Sequence, residues 1–129
     1  SEKEVYSKIV GKGGFNAYLG TNDMRTVTKR ANEGDAHAAE VKEAFLYQIA
    51  KDIGSMACVL EGKVDQIIVT GGIAYNADVI ANLKEKAGFI APFTVYPGED
   101  ELESLAENGY GILSGEFEIK EYHRDHIIE

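Results

Sequence analysis

The stretch Gln66 to Asn76, QIIVTGGIAYN, constrains this chain most. Ile67, Ile68 and Val69 are β-branched and uninterrupted by charge, the pattern of a strand buried on both faces of a parallel sheet. Thr70, Gly71 and Gly72 end it. Two residues without Cβ permit positive φ and let a ligand come close to the backbone, while the helix opening behind them aims free N–H groups at an anion. That geometry suits a nucleotide. Alone, a strand followed by TGG more often marks a tight βα turn.

The strongest periodicity lies just upstream. Ala39, Val41, Ala44, Phe45, Ile49, Ile53, Met56, Ala57 and Leu60 recur at three-to-four spacing, which predicts one long helix from Ala36, closed by Gly62. Gly54 inside it points to close packing against another backbone. Before it, Gly11 stops a helical pattern carried by Val5, Ile9 and Val10. The GKGG of Gly11 to Gly14 lacks the rest of a phosphate loop and reads as a turn. A short semi-apolar segment, Phe15 to Leu19, leads to a helix starting near Met24. Gly34 and Asp35 then supply a C-cap glycine and a new N-cap together.

Downstream, Tyr75 to Gly88 reads as a helix with Val79, Ile80 and Leu83 inward. FIAPFTVY, Phe89 to Tyr96, is a second strand that Pro92 confines to Phe93 to Tyr96. After the Pro97–Gly98 turn, a helix from Asp100 to about Ser114 should bury Leu102, Leu105, Ala106, Ile112 and Leu113, with Glu99, Asp100 and Glu101 at its positive end. Residues 116–129 form a charged tail, partly helical or frayed. The fold class is therefore α/β and helix-rich: a βαβα core with a small parallel sheet, preceded by a long helix, in a single domain over residues 1–129. Two strands leave open sheet edges, so the chain either self-associates or has further sheet upstream of Ser1.

A net charge of -9 argues against nonspecific nucleic-acid binding. Cys58 is the only cysteine, which favours a reducing compartment. In its apolar run it reads as a small buried hydrophobe. No run of 18 apolar residues and no signal segment is present, so a cytoplasmic protein with no membrane span is expected. His37, His123 and His126 read as solvated surface, and Tyr75, Tyr96 and Tyr110 as amphipathic core-edge residues.

Three segments together carry a resemblance. GKGGFNAYLGTNDMR, VDQIIVTGGIAYN and FIAPFTVYPGEDELESLA look like the C-terminal region of the butyrate kinase family, which belongs with acetate kinase in the sugar kinase, heat-shock ATPase and actin superfamily. The resemblance implies an incomplete ribonuclease H-like lobe. It implies ATP-dependent phosphoryl transfer to a short-chain carboxylate such as butyrate, giving an acyl phosphate and ADP with Mg²⁺ as cofactor. It also implies a missing N-terminal lobe and a homo-oligomer.

By position, Gly71, Gly72, Ile73 and Asn76 resemble the family's adenosine motif, and Asn22, Asp23, Met24 and Arg25 the segment closing the other side of the adenine. An Asn amide offers both donor and acceptor to a base edge, and a guanidinium stacks on its ring. Glu101 resembles a carboxylate that helps hold the magnesium. No His or Arg matches the groups around the in-flight phosphoryl, so no catalytic residue is assigned and the chain alone should be inactive. A second reading is a stand-alone, non-catalytic module of the same fold, kept for nucleotide binding or self-association. An initiator methionine just before Ser1 would favour it.

Overall fold

The computed structural model describes residues 1–120, so His123 and His126 lie outside the described residues. The chain divides into two compact units, Ser1–Gly98 and Glu99–Glu129. In the first, α1 (Glu2–Ser7) runs into a distorted wide turn, Lys8–Lys12, that breaks helical geometry at Val10 and Gly11. The semi-apolar segment folds as the short helix α2 (Phe15–Leu19). Then come α3 (Met24–Asn32), α4 (Ala36–Val59), β1 (Ile67–Gly71), a 3₁₀ turn (Gly72–Tyr75), α5 (Ala77–Ala87) and β2 (Phe93–Pro97). Strands β1 and β2 pair in parallel with Ile67 opposite Phe93 and Gly71 opposite Pro97. The architecture is the expected helix-rich α/β arrangement with a small parallel sheet.

Local chemistry explains the breaks. Gly34, at φ +98°, ends α3, with its N–H donated to Ala31 O and the Asp35 N–H to Arg30 O. Asp35 caps α4 by accepting from the Ala38 N–H at 3.0 Å. The same carboxylate takes Arg30 at 2.7 Å, and Arg30 also donates to the Leu19 carbonyl at 3.0 Å. One ion pair thus fastens α2, α3 and α4 at a single corner. The helix expected from Tyr75 starts two residues later, because Asn76 leaves helical geometry and caps α5 instead.

The core sits where α4 meets α5. Leu46, Val79 and Leu83 form its buried centre, with Met24, Ile49, Ile73 and Phe93 packed on it. Val79, Ile80 and Leu83 face inward as their spacing requires. On α4 the buried positions are Ala38 and Leu46, whereas Ala39, Ala44 and Phe45 are exposed. The apolar stripe is therefore rotated from the expected one, and Phe45 packs at the rim against Phe15, ring centroids 4.7 Å apart.

Four further expectations are corrected. Strand β1 is not buried on both faces: its burial alternates and Ile68 is 60% exposed, because the helices of this unit cover one side. Gly54 has no close backbone neighbour, since a Cβ built there meets no heavy atom within 4 Å. Cys58 is exposed, on a part of α4 that nothing in the unit covers. In the second unit, α6 (Glu101–Leu113) leaves Leu102 84% and Leu113 89% exposed. Its buried residue is Gly111, on which the Phe117 ring lies. A lone helix has no second surface to pack its stripe against.

Just past the end of α4 lies the one non-glycine residue at positive φ among the described residues, Glu61 at +54°. The Glu61 N–H donates to Cys58 O and the Gly62 N–H to Ala57 O, so Glu61 takes the left-handed position that glycine fills best. Glu61→Gly should stabilise the chain by about 0.5–1 kcal/mol, measured by urea unfolding, since the lost Lys63 pair is fully on the surface. Leu46→Ala should cost about 2–5 kcal/mol in the same assay.

Candidate nucleotide cleft

Beyond the carboxyl end of β1 an open cleft of about 1060 Å³ lies between the start of α3 and the 3₁₀ turn leading into α5. Ligands of parallel α/β sheets settle at this end of the strands. Asn22, Asp23, Met24 and Arg25 line one side; Gly72, Ile73 and Asn76 line the other. Two segments about fifty residues apart in sequence are brought face to face.

Met24 and Ile73 pack on the Leu46 cluster, so the apolar floor of the cleft is continuous with the core. Asp23 caps α3: its Oδ1 accepts from the Arg25 N–H and from Arg25 Nε, both at 3.0 Å, and its Oδ2 from the Thr26 hydroxyl at 3.2 Å. The Arg25 guanidinium and backbone together hold the Asp23 carboxyl below the usual carboxylate range, and Asp23 in turn raises Arg25. Asp23 is thus committed to orienting Arg25. The Arg25 side chain is 90% exposed, with Nε taken and its terminal amino groups free of partners among the described residues.

Asn76 is more constrained than its sequence context indicates. Its Oδ1 accepts from the Val79 N–H at 3.3 Å, and its Nδ2 donates to the Thr28 hydroxyl at 2.9 Å. One amide N–H and one oxygen lone pair stay open for a ligand. Gly71 does not line the cleft. It ends β1 at φ +78° and exchanges two backbone hydrogen bonds with Gly98, at 3.1 and 3.2 Å. Gly72 differs: its φ is not left-handed and a Cβ there meets nothing within 4 Å. Neither backbone nor packing requires a glycine at that wall, whereas a ligand lying against it would.

Sequence reading missed Thr28, Lys29, Asn32, Tyr75, Ala77 and Asp78 in this lining. Arg25, Thr28, Lys29 and Asn32 fall at i, i+3, i+4 and i+7, so the helical period would have placed them on one face. At the far end Asn32 donates to Asp78 at 3.0 Å and ties α3 to α5. His37 is exposed on α4. Glu101 opens α6 in the second unit, and among the described residues no cluster of three His, Cys, Asp or Glu side chains forms a metal cage. Among the described residues no helix is long and apolar enough to cross a membrane.

An open cleft lies at the carboxyl end of a small parallel sheet, walled by a strand–TGG turn and a capped helix. Residues 1–97 match the profile of the Acetokinase family, and the chain belongs to that family. It is 53% identical over 122 residues to a Clostridium botulinum protein named "Probable butyrate kinase" and 54% identical over 122 residues to Butyrate kinase 2 of Clostridium acetobutylicum. It is 46% identical over 122 residues to a Bacteroides thetaiotaomicron protein that also bears the name "Probable butyrate kinase". Each alignment takes in 95% of this chain. The chain spans about a third of the length of these curated relatives, 34% of each clostridial protein and 35% of the Bacteroides one.

Because the folded carboxyl pKa of Asp23 is depressed, the stability it contributes is present above the unfolded value and is lost as pH falls through the folded one. Acidification below about pH 4 should therefore lower the unfolding midpoint. In Asp23→Asn that slope should be shallower, followed by thermal melts from pH 6 downwards.

Proposed function

We propose that this chain is the C-terminal part of a carboxylate kinase of the butyrate kinase type, and that its cleft is one wall of the adenosine pocket. The observation carrying this reading is the convergence of Asn22–Arg25 with Gly72, Ile73 and Asn76 around one floor joined to the core. In the whole protein a carboxylate oxygen of butyrate or a related short-chain acid attacks the γ-phosphorus of ATP. The bond to the bridging oxygen breaks, and ADP leaves with that electron pair. This chain's share is positional. Met24 and Ile73 receive the base, and Gly72 lets the ribose and phosphates pass close to the backbone. Arg25, held by Asp23, stacks on the ring or meets negative charge.

Mg²⁺, when bound, neutralises charge on the phosphates, and Glu101 is the carboxylate we assign to it. The remaining lobe holds the groups that grip the carboxylate and the transferring phosphoryl, so the isolated chain does no chemistry. We further propose a cytoplasmic protein that pairs with a second copy, which would cover the bare Leu102 and Leu113 face of α6. The second reading, a non-catalytic module for nucleotide binding or self-association, predicts the same cleft without the upstream lobe.

Titration calorimetry with Mg-ADP should give weak binding to the 129-residue chain, and no hydroxamate should form from butyrate and Mg-ATP. Gly72→Val should abolish the heat, and Gly72→Ala, whose Cβ meets no protein atom within 4 Å, should leave the melting temperature unchanged. No heat with the wild-type chain would remove the binding claim, and an unchanged heat in Gly72→Val would remove the claim that this wall carries it. Hydroxamate from this chain would overturn the claim of inactivity.

A further inference from the structure

Thr28 lines the cleft beside Asn76, and its hydrogen bonding determines what it can offer. Asn76 Oδ1 must be the acceptor of the Val79 N–H, since a nitrogen in that place would set donor against donor. The amide orientation is thereby fixed, and its Nδ2 is the end that faces Thr28, donating at 2.9 Å. The Thr28 hydroxyl is consequently an acceptor toward Asn76. Its own proton is committed to no acceptor among the described residues, although a helical threonine ordinarily returns that proton to a carbonyl one turn back. Thr28 is half-buried on the inner wall of α3, within the cleft, one turn beyond Met24 and Arg25.

We propose that Thr28 is both a positioning residue for Asn76 and a ligand donor: it holds the Asn76 amide across the cleft and gives its hydroxyl proton to a lone pair of a nucleoside in the site, a ring nitrogen or a ribose oxygen. The inference rests on the cleft being the adenosine wall. The pair works as a relay of orientation. The Val79 N–H fixes the amide, the amide fills one lone pair of the Thr28 oxygen, and the hydroxyl hydrogen is left to rotate toward an incoming acceptor. Together the Thr28 hydroxyl and the remaining Asn76 N–H present two donors to the ligand.

The test uses the 129-residue chain, Mg-ADP, and the variants Thr28→Val and Thr28→Ser. Thr28→Val keeps the shape and β-branching and removes the hydroxyl. It should weaken ADP by about 3- to 10-fold, the range for one lost hydrogen bond, and Thr28→Ser should restore most of it. Without ligand, the Asn76 side-chain amide protons should exchange with solvent faster in Thr28→Val than in the wild type and Thr28→Ser, a readout that simple loss of helix stability would not confine to Asn76. Equal ADP affinity in wild type and Thr28→Val overturns the donor role. Unchanged Asn76 amide exchange overturns the positioning role. No binding of ADP to the wild type overturns the donor role together with the adenosine reading, and so separates failure of that reading from failure of this inference.

Discussion

Burial of Leu46 against Val79 and Leu83 is the contact on which both the fold and the cleft depend. It joins α4 to α5, and the residues packed directly on it include Met24 and Ile73, which form the cleft floor. A ligand surface supported in this way is held by the same close packing that stabilises the domain. Its geometry is set before any ligand arrives. The polar groups add orientation at the edges: Asp23 fixes Arg25, and Thr28 and Val79 fix Asn76 from two sides.

Elements whose boundaries depend on local chemistry were legible in the sequence. The Gly34–Asp35 pair ends one helix and starts the next because a left-handed turn and a carboxylate cap are properties of those residues alone. The strands at Ile67 and Phe93 were likewise visible, and Pro92 marks where β2 pairing begins. What periodicity could not supply was the covering partner. It identified β1 and α6 as apolar surfaces, but burial needs a second layer, and Ile68, Leu102 and Leu113 have none here. On α4 the run Ala44-Phe45-Leu46 is apolar on adjacent faces, so spacing alone did not decide that Leu46 points inward.

The site was legible in a different manner. No single motif specified it; the resemblance joined GTNDMR to TGGIAYN, and the fold places those stretches on opposite walls of one cleft. Thr28 and Asn32 escaped because their roles arise from partners 48 and 46 residues away, Asn76 and Asp78 respectively, which no local pattern encodes. Gly71 and Gly72 illustrate the converse. The adjacent glycines of one motif differ: the first is set by its backbone angle and its pairing with Gly98, whereas neither backbone angle nor a neighbour at its Cβ requires the second to be glycine.

The exposed apolar surfaces match a chain that spans a third of its relatives' length. A strand with one bare face and a helix with a bare stripe are surfaces that proteins of this size cover. The central claim remains the cleft. Amide ¹⁵N–¹H shift mapping of the chain during a Mg-ADP titration tests it most directly. The account predicts that the saturable changes fall on residues 22–25 and 72–78, and that Ile53, Met56 and Leu60 on the far side of α4 stay still. Changes confined to that far side, or none at saturating ADP, would contradict it.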